Sequence, residues 1–263
     1  MDTQTERATA VRDGAIGWLI FENSARLNAI SEQMVDQALQ ILSDYAADPA
    51  VRVVILRGAG DKAFISGGDI SKFEKTRFDP AAAATRRSAD DVRKKLIALD
   101  KPVIAMIHGY CLGGGMGIAL AADLRFGSTT SELGIPAALR GIAYPLPGLK
   151  LLVDLVGPSV AKDMMMSGRR LKSEEALRIG LLNAVHSPDD LEQQTLAYAR
   201  GVAANAPLSI RASKVCIDQL GLDDAARDHA AIQRMIDEAA NSEDFKESTR
   251  AFMEKRKPVF RGK

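Results

Sequence analysis

The sequence predicts an α/β fold with a helical C-terminal third, and three observations carry that reading. Buried β-branched runs such as VRVVIL (51–56) and PVIAMI (102–107) alternate with helical patterns through the first half. Such alternation builds a mainly parallel sheet from strand–helix–strand units. Both predicted strands lead toward glycine-rich turns, and after Pro145-Leu146-Pro147-Gly148 helical patterns dominate.

Taken in order, AIGWLIF (15–21) is a short apolar run followed by a turn-like ENSARLN. Ser31 reads as the N-cap of a helix whose apolar face is Met34, Ala38, Ile41, Leu42 and Tyr45. Asp48-Pro49 stops it, and VRVVIL then runs to Gly58. Ala63-Phe64-Ile65 precedes the turn Ser66-Gly67-Gly68-Asp69. A polar helical pattern covers about 80–99, and the strand 102–107 is joined by Gly113-Gly114-Gly115 to the helix GIALAA. Beyond it, helical patterns span 149–156, 159–166, 173–179, 188–204, 207–220 and 224–254. Ser187-Pro188-Asp189-Asp190 is a helix start, and Asn205-Ala206-Pro207 separates two helices.

The 263 residues bury a full core without staples, and two cysteines, Cys111 and Cys216, are too few for a disulfide framework. A reducing, cytoplasmic setting follows as an expectation. With 35 bases against 34 acids, nothing favours a nucleic-acid or anionic-membrane partner. The first residues, MDTQTERATAVRDG, have neither the apolar run of a signal peptide nor the composition of a transit peptide. Pro102 to Ala122 lacks Asp, Glu, Lys and Arg, but its glycines and Pro102 argue for a strand, a turn and a helix rather than a membrane span.

Glycine permits close backbone approach, and the first turn of a helix presents unpaired amides. One amide from each glycine turn would form an oxyanion hole. Tight strand–helix packing uses the same glycines, and from spacing both readings stand. A dinucleotide fingerprint fails because Ile118 stands where a glycine is required. No phosphate loop and no G-x-S-x-G elbow is present, and His108, His186 and His229 are too scattered to hold a metal.

Several segments occur in the order of a known family. They are Ala25-Arg26-Leu27-Asn28-Ala29-Ile30, Val53-Val54-Ile55-Leu56-Arg57-Gly58 and Ala63-Phe64-Ile65-Ser66-Gly67-Gly68-Asp69-Ile70. They continue with the stretch from Lys101 to Gly115, then Ala176-Leu177-Arg178-Ile179-Gly180-Leu181-Leu182-Asn183, and the tail Phe252-Met253-Glu254-Lys255-Arg256-Lys257-Pro258. Together they resemble the enoyl-CoA hydratase/isomerase, or crotonase, superfamily along nearly the whole chain. The resemblance implies a crotonase-like spiral α/β core over residues 1–200 and a helical trimerisation region over 201–263. It implies an acyl-CoA thioester as substrate, with coenzyme A entering as part of that substrate and no tightly bound cofactor. The amides of Gly68 and Gly114 match the two oxyanion donors. Arg26 and Lys255 match basic positions that meet the coenzyme A phosphates, Lys255 coming from a neighbouring subunit of a homotrimer or homohexamer. Phe252 matches an acyl-pocket residue, and Ser66, Gly67, Asp69 and Ile70 belong to the loop that receives the substrate. From Lys246 to Lys263, seven bases face two acids, a local +5 suited to a phosphorylated ligand.

The family's hydratases move protons with two glutamates. Their places here hold Gly117 and Ala137, and a further family acid falls at Pro145. None of these three can carry a proton. Tyr144 is the remaining acid or base candidate, with buried packing as its alternative. Glu132 reads as solvated, His108 as structural, and Asp69 and Asp123 as residues that bond backbone amides. The expected activity is a hydratase/isomerase-type lyase or isomerase that stabilises an enolate without those glutamates. Decarboxylation, thioester hydrolysis and a catalytically silent acyl-CoA binder are the alternatives.

Overall fold

The computed structural model describes residues 6–68 and 87–263. Strands β1 (Arg7–Asp13) and β2 (Ile16–Glu22) form an antiparallel hairpin, and Gly14 takes a left-handed φ of 59° in its two-residue turn. The sequence reading passed over β1. Only Ala8 of it is buried, and Arg7, Arg12 and Asp13 give it the charged composition that protects a sheet edge.

The remaining strands of the main sheet are β3 (Val53–Gly58), β5 (Val103–Ile107), β7 (Leu124–Ser128) and β10 (Ala184–His186). Among the described residues the sheet runs in the order β1-β2-β3-β5-β7-β10, parallel from β2 onward. β5 is buried along its whole length, as its unbroken apolar run requires of a strand covered on both faces. β7 and β10 were absent from the sequence reading. They are short, and β7 carries Arg125, which is 2% exposed because its guanidinium donates to the carbonyls of Ala122 and Leu181 at 2.7 and 2.8 Å.

One face of the sheet is covered by α1 (Glu32–Ala47), α2 (Ala89–Ile97) and α3 (Gly114–Leu120). Ser31 caps α1, accepting from the Met34 amide at 3.4 Å, and Met34, Ala38, Leu42 and Tyr45 face inward as the spacing predicts. The other face is covered by α6 (Leu191–Ala203), whose Leu191 and Ala199 pack with Trp18, Ile55, Ile104 and Met106. A second, smaller sheet has the order β4-β6-β8-β9, from Ala63–Ile65, Tyr110–Leu112, Glu132–Gly134 and Leu171–Lys172.

The helical C-terminal part contains α4 (Leu146–Ser167), α5 (Ser173–Arg178), α7 (Pro207–Leu220), α8 (His229–Ala240) and α9 (Glu243–Met253). α4 breaks at Gly157-Pro158, where the sequence reading had left a gap. The run expected over 224–254 is instead divided. Ser242 accepts from the Phe245 amide at 3.0 Å and begins a new helix there. α7 is tied to the sheet by Lys214, whose Nζ donates to the Lys101 carbonyl and to Asp123, each at 2.9 Å. Asp123 also accepts from the Val103 amide at 2.6 Å, so it links β5 to α7 rather than closing its own loop.

Candidate active site

Two short strands bring the glycine turns together. β4 ends in Ser66-Gly67-Gly68, and its parallel neighbour β6 ends in Gly113, where α3 begins. Parallel pairing puts the C-terminal ends of both strands on one side, so both turns emerge next to each other. β6 was missing from the sequence reading because it is only Tyr110–Leu112, set between glycines.

The approach is close. A methyl group built on Gly114 would lie 3.8 Å from the Gly68 nitrogen and 3.2 Å from the Ala89 methyl. Gly114 is the first residue of α3, so its amide has no partner inside the helix. Among the described residues no backbone carbonyl accepts from the Gly68 or Gly114 amide. Gly115 has another duty. Its Cβ would sit 2.3 Å from the Ile65 carbonyl oxygen, so it is the residue that lets α3 pack on β4. The packing reading therefore holds for Gly115, next to a Gly114 amide that donates to no carbonyl among the described residues.

The first turn is held from one side by the Arg26–Ile30 segment. The Ser66 amide donates to the Leu27 carbonyl at 3.1 Å, Ser66 Oγ to the Arg26 carbonyl at 3.0 Å, and the Ile30 amide to the Gly67 carbonyl at 2.9 Å. Asn28 organises that segment. Buried and left-handed at φ 57°, it donates through Nδ2 to the carbonyls of Ala59 and Ala63 and accepts from the Asn23 amide. The sequence reading quoted Asn28 only as part of a motif and missed this positioning role, which its buried amide side chain reveals. The second turn is anchored by the Gly113 amide, which donates to the Gly134 carbonyl at 2.9 Å.

Tyr144 joins this group. Its hydroxyl stands 4.0 Å from the Cβ position of Gly113, and it makes no hydrogen bond to a described residue. Burial raises its pKa above the ordinary phenol value, so the hydroxyl is protonated at neutral pH and is a proton donor there. Gly117 lies on α3, and a Cβ there meets no described residue within 4 Å. Ala137 is buried in the core, and Pro145 precedes α4.

The other sequence candidates are placed as follows. Arg26 is exposed, at the end of the short 3-10 helix Ser24–Arg26. Asp69 and Ile70 lie outside the described residues. Phe252 and Lys255 stand apart from the glycine turns, in α9 and just beyond it; α9 packs on α8, and Phe252 is 82% exposed. Glu132, read as solvated, is ion-paired with Arg170 at 3.3 Å and with Lys172. The Lys172 hydrogen bond leads in holding its carboxyl below the usual range, which leaves it a poor proton carrier. No group of three or more His, Cys, Asp or Glu among the described residues is placed to hold a metal.

The family model described as "Enoyl-CoA hydratase/isomerase" matches residues 12–263. The short-chain-enoyl-CoA hydratase of Clostridium acetobutylicum is 32% identical over 249 residues, covering 94% of each chain. The carnitinyl-CoA dehydratase of Escherichia coli K12 is 31% identical over 263 residues, covering 98% of this chain and 100% of its own. Among solved structures, an enoyl-CoA hydratase/carnithine racemase from Magnetospirillum magneticum superposes with a TM-score of 0.91 at 31% identity, covering 98% of this chain and 97% of that one.

Proposed function

Because the chain belongs to the enoyl-CoA hydratase/isomerase family, we propose that it is an acyl-CoA enzyme of that class which generates a thioester enolate without the usual pair of glutamates. The supporting observation is the adjacency of the Gly68 and Gly114 turns, whose amides donate to no carbonyl among the described residues. The thioester carbonyl oxygen accepts from both, and the charge that grows on it as the enolate forms is met by donors fixed before reaction. Each such donor is typically worth about 3 kcal/mol of transition-state stabilisation. Arg26, and Lys255 from a neighbouring subunit, would meet the coenzyme A phosphates. Ser66, Gly67, Asp69, Ile70 and Phe252 would enclose the acyl thioester.

Proton delivery falls to Tyr144. In hydration, water adds its oxygen to the β-carbon of an enoyl thioester. The phenol gives its proton to the α-carbon of the enolate so formed, and the phenolate takes the proton that the attacking water releases. The same observation favours a second reading, decarboxylation of a 2-carboxyacyl thioester. There the bond to the departing CO2 leaves its electron pair as the enolate, so no base is needed and Tyr144 supplies the one proton required.

The proposal extends to a homotrimer, alone or paired into a hexamer, supported by the outward display of Phe245, Phe252 and Met253 on α9. It extends also to a cytoplasmic location, supported by two unpaired cysteines. Among the described residues no helix is long and apolar enough to cross a membrane. The test is a panel of acyl-CoA thioesters assayed for binding and turnover. Saturable binding with turnover of an enolate-forming substrate is expected. A folded protein with no affinity for any thioester would overturn the reading, and binding without turnover across the panel would assign a silent binder. Crotonyl-CoA hydration at an ordinary family rate would show that the missing glutamates are immaterial.

A further inference from the structure

We propose a second binding site in this protein, for a small organic cation, in the cleft between the ends of β3 and β5 and helix α6. The cleft has a volume of about 640 Å³ and is lined by Arg57, Asp61, His108, Asp189, Glu192 and Arg200. It opens on the α6 side of the main sheet. His108 follows Ile104 and Met106 in the strand alternation, and those two pack with the α6 cluster, whereas Ile65 and Met116 beside the glycine turns belong to the other core.

The cleft's cations are already engaged. Arg57 Nη1 donates to Glu192 at 2.6 Å while its guanidinium lies 5.9 Å from the centre of the Trp18 ring. Arg200 donates to Asp13 at 2.7 Å. Two of the cleft's three carboxylates are not engaged. Among the described residues Asp61 and Asp189 form no ion pair, and the His108 ring, 8% exposed, makes no hydrogen bond. Burial, with the nearby Arg57 charge, holds it neutral, so one ring nitrogen offers a lone pair. Two open carboxylates and a lone pair facing one cleft suit an ammonium group, and charge-assisted hydrogen bonds of that kind are roughly twice as strong as neutral ones.

The test is a titration of the full-length protein with butane-1,4-diamine, followed through the His108 ring NMR signal and assigned with His108→Gln. Butane-1,4-diol is the uncharged control of equal length. A saturable shift is expected with the diamine and not with the diol. An Asp61→Asn/Asp189→Asn double variant should bind at least about tenfold more weakly, two charge-assisted contacts having been removed. Both carboxylates are exposed, so the variant should fold, and its melting temperature checks this. An equal response to the diol, an unchanged affinity in the double variant, or no saturable shift would each overturn the proposal. None of these outcomes bears on thioester binding at the glycine turns.

Discussion

Gly117→Glu puts a carboxylate where the family's hydratases carry their first glutamate, and the structure allows its consequences to be worked out before it is made. A Cβ at Gly117 meets no described residue within 4 Å, so the substitution carries no packing cost against them. Gly117 lies inside helix α3, where glycine is the poorest helix former after proline. Glutamate should therefore stabilise the protein by about 0.5 kcal/mol, a rise of roughly 1–2 °C in melting temperature for a chain of this size. Ala137→Glu is the worse choice, because Ala137 is buried in the core and a carboxylate there would be desolvated. If the absent carboxylate limits hydration, Gly117→Glu should raise the rate with crotonyl-CoA by about 10²-fold, the lower end of what one positioned acid or base supplies. The assay is loss of enoyl absorbance, with acyl-CoA affinity and melting measured on the same sample. A folded variant that keeps its affinity but hydrates no faster than the parent would refute the reasoning. So would a melting temperature that falls by several degrees, since the space around Gly117 would then be filled.

Gly114→Pro deletes one of the two proposed oxyanion donors while proline remains acceptable in the first turn of a helix, and turnover should fall by about 10²–10³-fold. Gly114→Ala keeps the amide and meets the same Ala89 methyl, so only the difference between the two variants reports on the hydrogen bond. Tyr144→Phe should lower kcat more than it changes KM, and should remove a loss of activity at alkaline pH. The wild-type phenol, raised above 10.0 by burial, keeps its proton where the unfolded chain has lost it. Its stabilising contribution is therefore whole below about pH 10 and is lost as pH rises through the folded value. Melting curves from about pH 9 to about pH 11 should show that loss in the parent and not in Tyr144→Phe. Gly115→Ala should cost at least ~2 kcal/mol in urea unfolding, because its methyl would press on the Ile65 carbonyl; Gly117→Ala on the same helix should gain up to ~1 kcal/mol.

What the sequence made legible follows from where each signal resides. β3 and β5 were readable because a strand covered on both faces is apolar throughout, and α1 because one serine and one spaced stripe define it. β1 was not, since an edge strand survives by looking polar. β7 hides behind Arg125, whose charge suggests exposure until the two carbonyls that accept from it are seen. β6 is too short for any periodicity, yet it is the element that sets the second glycine turn beside the first. The meeting of the two turns was thus readable, and the short strand that brings it about was not.

The same distinction separates the two halves of the chemistry. Oxyanion stabilisation of the kind proposed rests on backbone amides, and Gly68 and Gly114 were nameable through the family's motifs, whereas the close approach that only glycine allows belongs to Gly115. Proton transfer rests on a side chain whose partner in space can come from any element. Tyr144 sits in the connection before α4, far along the chain from Gly113, and only the fold places its hydroxyl there. A family that keeps the amides while exchanging the proton carriers can change its reaction without changing its fold. On the proposed reading, Gly117, Ala137 and Pro145 make this chain one where that exchange has gone far, so the identity of its substrate is to be sought through Tyr144.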